Sequence, residues 1–171
     1  EAAPKPADLE TLKNWIAAGA KGPTGAAVPT ALVTPHIKLL AAPKLPINAV
    51  ALSTDGKTLG IARHGEVELQ SLHTRQSLRT LAKIPGSVNG VEFSRDGKWL
   101  VAAPGEPGLY GIAPIYSAID GQLHREFRGH KDSLYCARLS PDGQVLATGG
   151  YDNSIKLWNV ETGQEMRSLD G

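Results

Sequence analysis

Three stretches of the chain share one alternation of apolar and polar positions: INAVALSTDGKTLGIA from Ile47, VNGVEFSRDGKWLVAA from Val88 and LYCARLSPDGQVLATG from Leu134. Ile47, Val88 and Leu134 fill one apolar column, Val50, Val91 and Ala137 a second, and Leu52, Phe93 and Leu139 a third. Ala49, Gly90 and Cys136 keep one position small, as where a neighbouring strand comes close. A period of two predicts half-buried strands. Each strand runs into an Asp-Gly pair, at Asp55-Gly56, Asp96-Gly97 and Asp142-Gly143. Asp-Gly between apolar strands is a strong hairpin signal, because glycine takes positive φ without a Cβ clash. Second strands follow at Leu59, Leu100 and Leu146, and third strands at Val67, Ala113 and Ile155. Fourth strands open at Leu123 and Glu165, after turns at Asp120-Gly121 and Thr162-Gly163. The turn aspartates recur from Asp55 to Asp96 to Asp142, intervals of 41 and 46 residues. Four short antiparallel strands per unit at that period predict propeller blades rather than a helical solenoid.

The third unit, Gly129 to Leu169, opens with Gly129-His130 and carries Trp158-Asn159 after 27 intervening residues. On those residues the stretch from about Ile47 to Gly171 resembles the WD-repeat β-propellers. The resemblance implies a mainly β fold, a partial WD-repeat propeller of three four-stranded antiparallel blades over residues 47–171, behind a short N-terminal α-helix. It also implies a structural tetrad of His130, Thr148, Asp152 and Trp158 that pins the third blade by hydrogen bonds. A Thr-His-Asp set could be read as a nucleophilic triad, but the propeller position accounts for each residue and no oxyanion-donor motif accompanies them. Asn159 stands where the family has Asp. The second unit has Tyr116 and Ala102, and the first Gln70 and Ile61, in the Trp158 and Thr148 columns, so one blade alone can hold the tetrad. Pro114 falls in a third strand, where a missing N–H calls for a bulge. About four to eight blades close a propeller; three are expected to belong to a longer chain and to self-associate through open blade edges.

Ahead of the blades, KPADLETLKNWIAAGA over residues 5–20 places Leu9, Leu12 and Ile16 on one helical face beside Trp15, with Pro6 and Asp8 at the start and Gly19 at the end. Residues 1–21 resemble the last helix of a bacterial c-type cytochrome domain, through Leu9, Leu12, Trp15, Ile16 and Gly19. No Cys-x-x-Cys-His motif is present, so no cofactor is expected in this chain, and the resemblance implies that any haem c lies upstream of Glu1. It implies export, hence a periplasmic or cell-envelope location, with a cytoplasmic one left open. Residues 22–46 read as a Pro/Gly/Ala linker, with IKLLAA from Ile37 as a possible closing strand.

Composition narrows the classes. Eighteen Lys and Arg against 17 Asp and Glu leave no basic excess for a nucleic-acid footprint. No apolar run approaches the roughly 18 residues of a membrane span. One cysteine cannot build an intrachain disulfide or a thiolate zinc cluster, and Cys136 in the small column is expected to be buried. His36, His64, His73 and His124 lack ligand spacing, and no metal site is expected. Gly56-Lys57-Thr58 lacks the earlier glycine of a phosphate-binding loop, since residue 51 is Ala51. Trp99 is read as packing. No catalytic residue is assigned, because the innermost columns offer Ala49, Gly90 and Cys136 rather than acids, bases or ligands. The expectation is a non-enzymatic scaffold binding a protein or peptide, with an electron-transfer cytochrome–propeller fusion as the alternative. Family analogy puts the binding face at Arg63, His64, Gly105, Glu106, Gly108, Lys131, Asp132 and Tyr151, where the glycine-rich stretch of the second unit adds a longer loop.

Overall fold

In the computed structural model, residues 6–20, 22 and 45–171 are described. The chain divides into two compact units, Glu1–Ala42 and Pro43–Gly171. In the first, helix α1 spans Pro6–Ala17. Its C-terminus is closed by Gly19 N–H on Ile16 O at 3.0 Å and Ala20 N–H on Trp15 O at 2.9 Å, with Gly19 at φ 86°. That pair of bonds is a Schellman closure, for which glycine has the needed left-handed freedom. Leu9, Leu12 and Ile16 are about half exposed on the helix. The strand expected from Ile37 lies outside the described residues.

Among the described residues, the regular elements of the second unit are all strands. They are β1 (Ala49–Leu52), β2 (Thr58–Ser71), β3 (Ser77–Phe93), β4 (Trp99–Glu106), β5 (Tyr110–Ser117), β6 (Leu123–His130), β7 (Leu134–Leu139), β8 (Val145–Gly150), β9 (Ser154–Asn159) and β10 (Glu165–Asp170). All neighbours pair antiparallel, in one sheet ordered β1-β2-β3-β4-β5-β6 and one ordered β10-β9-β8-β7.

The six-stranded sheet contains two blades. Leu72 N–H reaches Lys57 O at 2.9 Å, so β2 folds back on itself, with Gly65 at φ 78° in the tight turn. Its first half pairs with β1 and its second with the start of β3. Beyond Lys83 (φ 63°) and Gly86 (φ 76°), the rest of β3 pairs with β4 as the inner strand of the second blade. Blade one is therefore β1, both halves of β2 and the first half of β3. Blade two is the second half of β3 with β4, β5 and β6, and blade three is β7 to β10. The sequence left the outer strand of blade one unmarked; it is Ser77–Ala82.

The Asp-Gly turns share one construction. Ser53 Oγ donates to Asp55 Oδ1 at 2.6 Å, the same aspartate oxygen accepts Lys57 N–H, and Thr58 N–H donates back to Ser53 Oγ. Ser94 with Asp96 and Ser140 with Asp142 repeat it. Glycine alone has positive φ in these turns, so they are not type I′, which needs it at both central residues. The serine hydroxyl, then the backbone N–H, hold the carboxyls of Asp55, Asp96 and Asp142 below the ordinary Asp value. A carboxyl lowered in the folded state stabilises fully above its unfolded pKa and loses that contribution as pH falls through the folded value. Tm is expected to drop with acid from about pH 5 downward. The triple variant Ser53→Ala, Ser94→Ala, Ser140→Ala should show a flatter Tm–pH profile; an equal slope would refute the serine's role.

The core is two layers between blades. Ala62, Val67, Leu69 and Leu81 of blade one meet Val88, Val91, Phe93, Leu100 and Ala102 of blade two. Val101, Ala103, Ala113, Ile115 and Phe127 on the opposite face of blade two meet Leu134, Ala137, Leu146 and Trp158 of blade three. A Cβ on Gly90 would stand 3.1 Å from Tyr135 O and 3.4 Å from Cys136 Cα, so the small column is where the following blade approaches. Cys136 is exposed rather than buried. It occupies the matching position on blade three, whose outward face is open among the described residues. Pro114 needs no bulge against β4. That ladder lapses between Val101↔Ile115 and Gly105↔Gly111, the interval holding Pro104 and Pro114 on facing strands, while Pro114 still pairs with Glu126 of β6.

Candidate functional site

At the end of the blades away from the Asp-Gly turns, blade three carries a buried polar chain. Trp158 Nε1 donates to Thr148 Oγ1 at 2.8 Å. Thr148 Oγ1 lies 2.8 Å from His130 Nε2, and His130 Nδ1 lies 3.0 Å from both Asp152 carboxylate oxygens. With the proton on Nδ1, every group finds a complementary partner: Thr148 donates to Nε2 while accepting from the indole. Partial burial pushes the Asp152 carboxyl up. Hydrogen bonds from His130, Lys131 N–H and Ser154 outweigh it and hold the carboxyl far below the usual range. The Thr148 hydroxyl is buried and engaged by the indole, which suits a brace rather than a nucleophile. In blade two Tyr116 takes the tryptophan's column; burial, then Glu126, raise its hydroxyl to about 12.

Of the residues expected on the binding face, the structure joins Asp132 to Gly108 beside this brace, while Arg63 and His64 make their contacts on blades one and two. Arg63, in the first half of β2, is held by Glu68 at 2.9 Å and Glu66 at 3.6 Å. His64 Nδ1 lies 3.1 Å from Ser87 Oγ at the start of blade two's inner strand. Asp132 Oδ1 accepts Gly108 N–H at 2.7 Å, tying the β4–β5 turn to the β6–β7 connection. Lys131, Gly108 and Tyr151 are exposed, and Glu106 and Asp132 partly so. Gly105 is not on the surface. It is buried, and a Cβ there would lie 2.6 Å from Ser133 Cα. The exposed tip of this hairpin is Pro107, Gly108 and Leu109 instead.

Two residues at this end escaped the sequence reading. β7 bulges between Leu134↔Gly150 and Cys136↔Gly149, which leaves Tyr135 as the extra residue. The bulge aims its ring onto Tyr151, with centroids 3.7 Å apart and planes at 26°, and both rings are about half exposed. Blade two has the same bulge between Val88↔Pro104 and Gly90↔Ala103, leaving Asn89. Its amide donates to Ser133 Oγ at 3.0 Å and Leu134 O at 2.9 Å, stitching blade two to blade three. The signal was present: Asn48, Asn89 and Tyr135 form a column just before the small residues.

At the opposite end a groove of about 430 Å³ lies between blades two and three, lined by Trp99, Ile115, His124, Leu139, Val160 and Glu161 among others. Trp99 packs its ring on His124 at 4.4 Å. Among the described residues no cluster of three or more His, Cys, Asp or Glu could hold a metal ion, and no helix is long and apolar enough to cross a membrane.

The family model described as "WD domain, G-beta repeat" matches residues 75–106 and 121–159. These two stretches are similar to WD repeats. The second match runs through the His130–Trp158 brace. The first covers the outer strand of blade one and two strands of blade two, so the repeat is offset from the blade. Over 84 residues, 49% of this chain, it is 31% identical to eukaryotic translation initiation factor 3 subunit I of Aspergillus niger, over 24% of that protein. Over 71 residues, 42% of this chain, it is 35% identical to the human intraflagellar transport protein 122 homolog, over 5% of that protein. The chain thus matches a quarter or less of these relatives' length. The WD40 repeats of RRP9 superpose with a TM-score of 0.65 at 24% identity, over 78% of this chain and 41% of that one. The structure of U3-55K gives 0.65 at 22%, over 78% and 42%. The fold is thus that of WD-repeat propeller blades. The family match begins at residue 75 and says nothing of α1, and the named relatives are eukaryotic, which lends no support to a bacterial, periplasmic cytochrome fusion.

Proposed function

We propose that this WD-repeat chain is a protein-interaction scaffold whose partner, a protein or peptide, docks at the braced end of blades two and three. The observation that supports this reading is the exposed Tyr135–Tyr151 stack. Two aromatic rings half open to water give a rigid, amphipathic contact at small entropic cost, the kind of side chain enriched in interface centres. Gly108, Leu109, Lys131 and Asp132 flank it on loops that the Asp132–Gly108 bond fixes together. The buried brace beneath makes the platform stiff, and stiffness before binding reduces what association must spend on ordering.

A displayed random-peptide library, panned against the intact chain and against Tyr135→Ser/Tyr151→Ser, tests this. Peptides enriched by the wild type should lose at least about tenfold in affinity for the double variant, one to two hot-spot contacts' worth. Equal binding to both proteins would place the site elsewhere. Pro107→Ser, on the same rim, checks that the loss is local to the aromatic pair.

A further inference from the structure

Every outer strand slips its register at one place. The slip falls between Gln70↔Ser77 and Leu69↔Arg79 in blade one, and between Tyr116↔Leu123 and Ile115↔Arg125 in blade two. In blade three it falls between Trp158↔Glu165 and Leu157↔Arg167. The extra residues are Leu78, His124 and Met166. Leu78 and Met166 are 57% and 58% exposed. His124 is instead aimed onto Trp99, with ring centroids 4.4 Å apart and planes at 32°. The strands that follow the Asp-Gly turns open with Thr58, Trp99 and Val145, so the fold itself asks for no aromatic ring at this position. Trp99 packs partly on the core between blades two and three and also lines the groove of about 430 Å³ beside it.

Blades one and two form a counterpart groove of about 280 Å³, where Thr58 and Ile119 stand in the places of Trp99 and Glu161. Equivalent backbone bonds in the outer turns establish the second match: Gly121 N–H to Ser117 O and Gly163 N–H to Asn159 O, as Arg75 N–H to Ser71 O in blade one. The two grooves also differ in charge. In the first two Asp-Gly turns a lysine meets the aspartate, Lys57 with Asp55 at 4.0 Å and Lys98 with Asp96 at 3.6 Å. The third turn has Gln144 instead, and among the described residues neither Asp142 nor Glu161 has an ion-pair partner. Arg95 lines an adjoining recess with Trp99 and Asp142. Two free carboxylates against one guanidinium leave this groove anionic, whereas each aspartate of the counterpart has its lysine.

We propose that the groove between blades two and three takes an arginine side chain from a peptide segment of a partner protein, its guanidinium against the Trp99 indole and facing Glu161. A planar cation stacks on an aromatic ring and forks onto a carboxylate, which the compact ammonium of lysine does less well. The groove's volume falls within the roughly 300–1,000 Å³ of ligand clefts, room for the side chain and its adjoining backbone. Both walls belong to this chain's own blades. The site lies at the opposite end from Tyr135 and Tyr151 and stands or falls independently of them.

Proton–nitrogen NMR spectra of the full chain resolve the indole N–H signals of Trp15, Trp99 and Trp158. A blocked glycine peptide with one central arginine should move the Trp99 signal saturably and leave the other two in place. The citrulline counterpart, neutral and of the same shape, should bind at least about fivefold more weakly, and the lysine counterpart should also bind more weakly. Glu161→Ile and Trp99→Thr, the latter read at the Gly143 amide, should each lower affinity for the arginine peptide by about fivefold. Each variant installs the residue the counterpart groove already holds, so the blades keep their fold. The proposal is overturned if the citrulline or lysine peptide binds as well as the arginine peptide, or if either variant binds as tightly as wild type. It is equally overturned if no peptide moves the Trp99 signal by about 10 mM, where a millimolar site is filled.

Discussion

Thr148→Val is expected to cost about 3 kcal/mol of stability, since two buried polar groups lose their partner at about 1–3 kcal/mol each. In a unit of this size that is a fall in Tm of roughly 10 °C. Valine preserves the shape of the side chain, so the loss reports polar chemistry rather than packing. The Trp158 indole N–H and His130 Nε2 both end on the Thr148 hydroxyl, at 2.8 Å each, in a residue 2% exposed. Neither has water to turn to. Thr148→Ser keeps the hydroxyl and should cost about 1 kcal/mol, the value of a buried methyl group. Thermal melts of the three proteins decide the matter: a valine variant melting within about 2 °C of wild type would show that the chain of bonds does not hold the blade.

Gly86→Ala should be comparably damaging for a steric reason, at about 3–4 kcal/mol from positive φ and overpacking together. Gly86 sits at φ 76° where β3 leaves blade one for blade two. A Cβ there would lie 2.3 Å from Gly105 O and 2.7 Å from Gly105 C, backbone atoms that cannot rotate away. Gly108→Ala separates the two contributions. It has nearly the same φ, 72°, but nothing within 4 Å, so its cost should be about 1 kcal/mol, from φ alone. In urea unfolding the Gly86 variant should show a much lower midpoint at unchanged slope. Equal midpoints for the two variants would mean that β3 yields at this crossing.

These two sites also show what the amino-acid pattern carried. The bonds among Trp158, Thr148, His130 and Asp152 lie within one unit, and the resemblance of that unit to the WD-repeat propellers was what implied them. The fourth strand of blade one was hidden because its turn has Arg75 where the other turns have glycine. Its left-handed residue carries no compositional mark. Gly105 was misplaced on the surface because a glycine in a Gly-rich stretch looks like a loop, whereas here it admits Ser133 against the β4 backbone. Tyr135 was overlooked because a bulge inserts one residue, and nothing in an alternation of apolar and polar residues announces where the count slips. Cys136 was misread because its column is covered only where a following blade packs on it, as at Gly90.

β3 runs unbroken from Ser77 to Phe93 despite the left-handed kinks at Lys83 and Gly86, so one strand of 17 residues is simultaneously the rim of one blade and the hub of the next. Peeling blade one away from its outer edge would drag on the axis side of its neighbour. The pair should therefore melt as a single cooperative block, with amides from Ser77 to Phe93 exchanging in one opening event, while blade three, joined through the separate β6 and β7, retains the freedom to let go first.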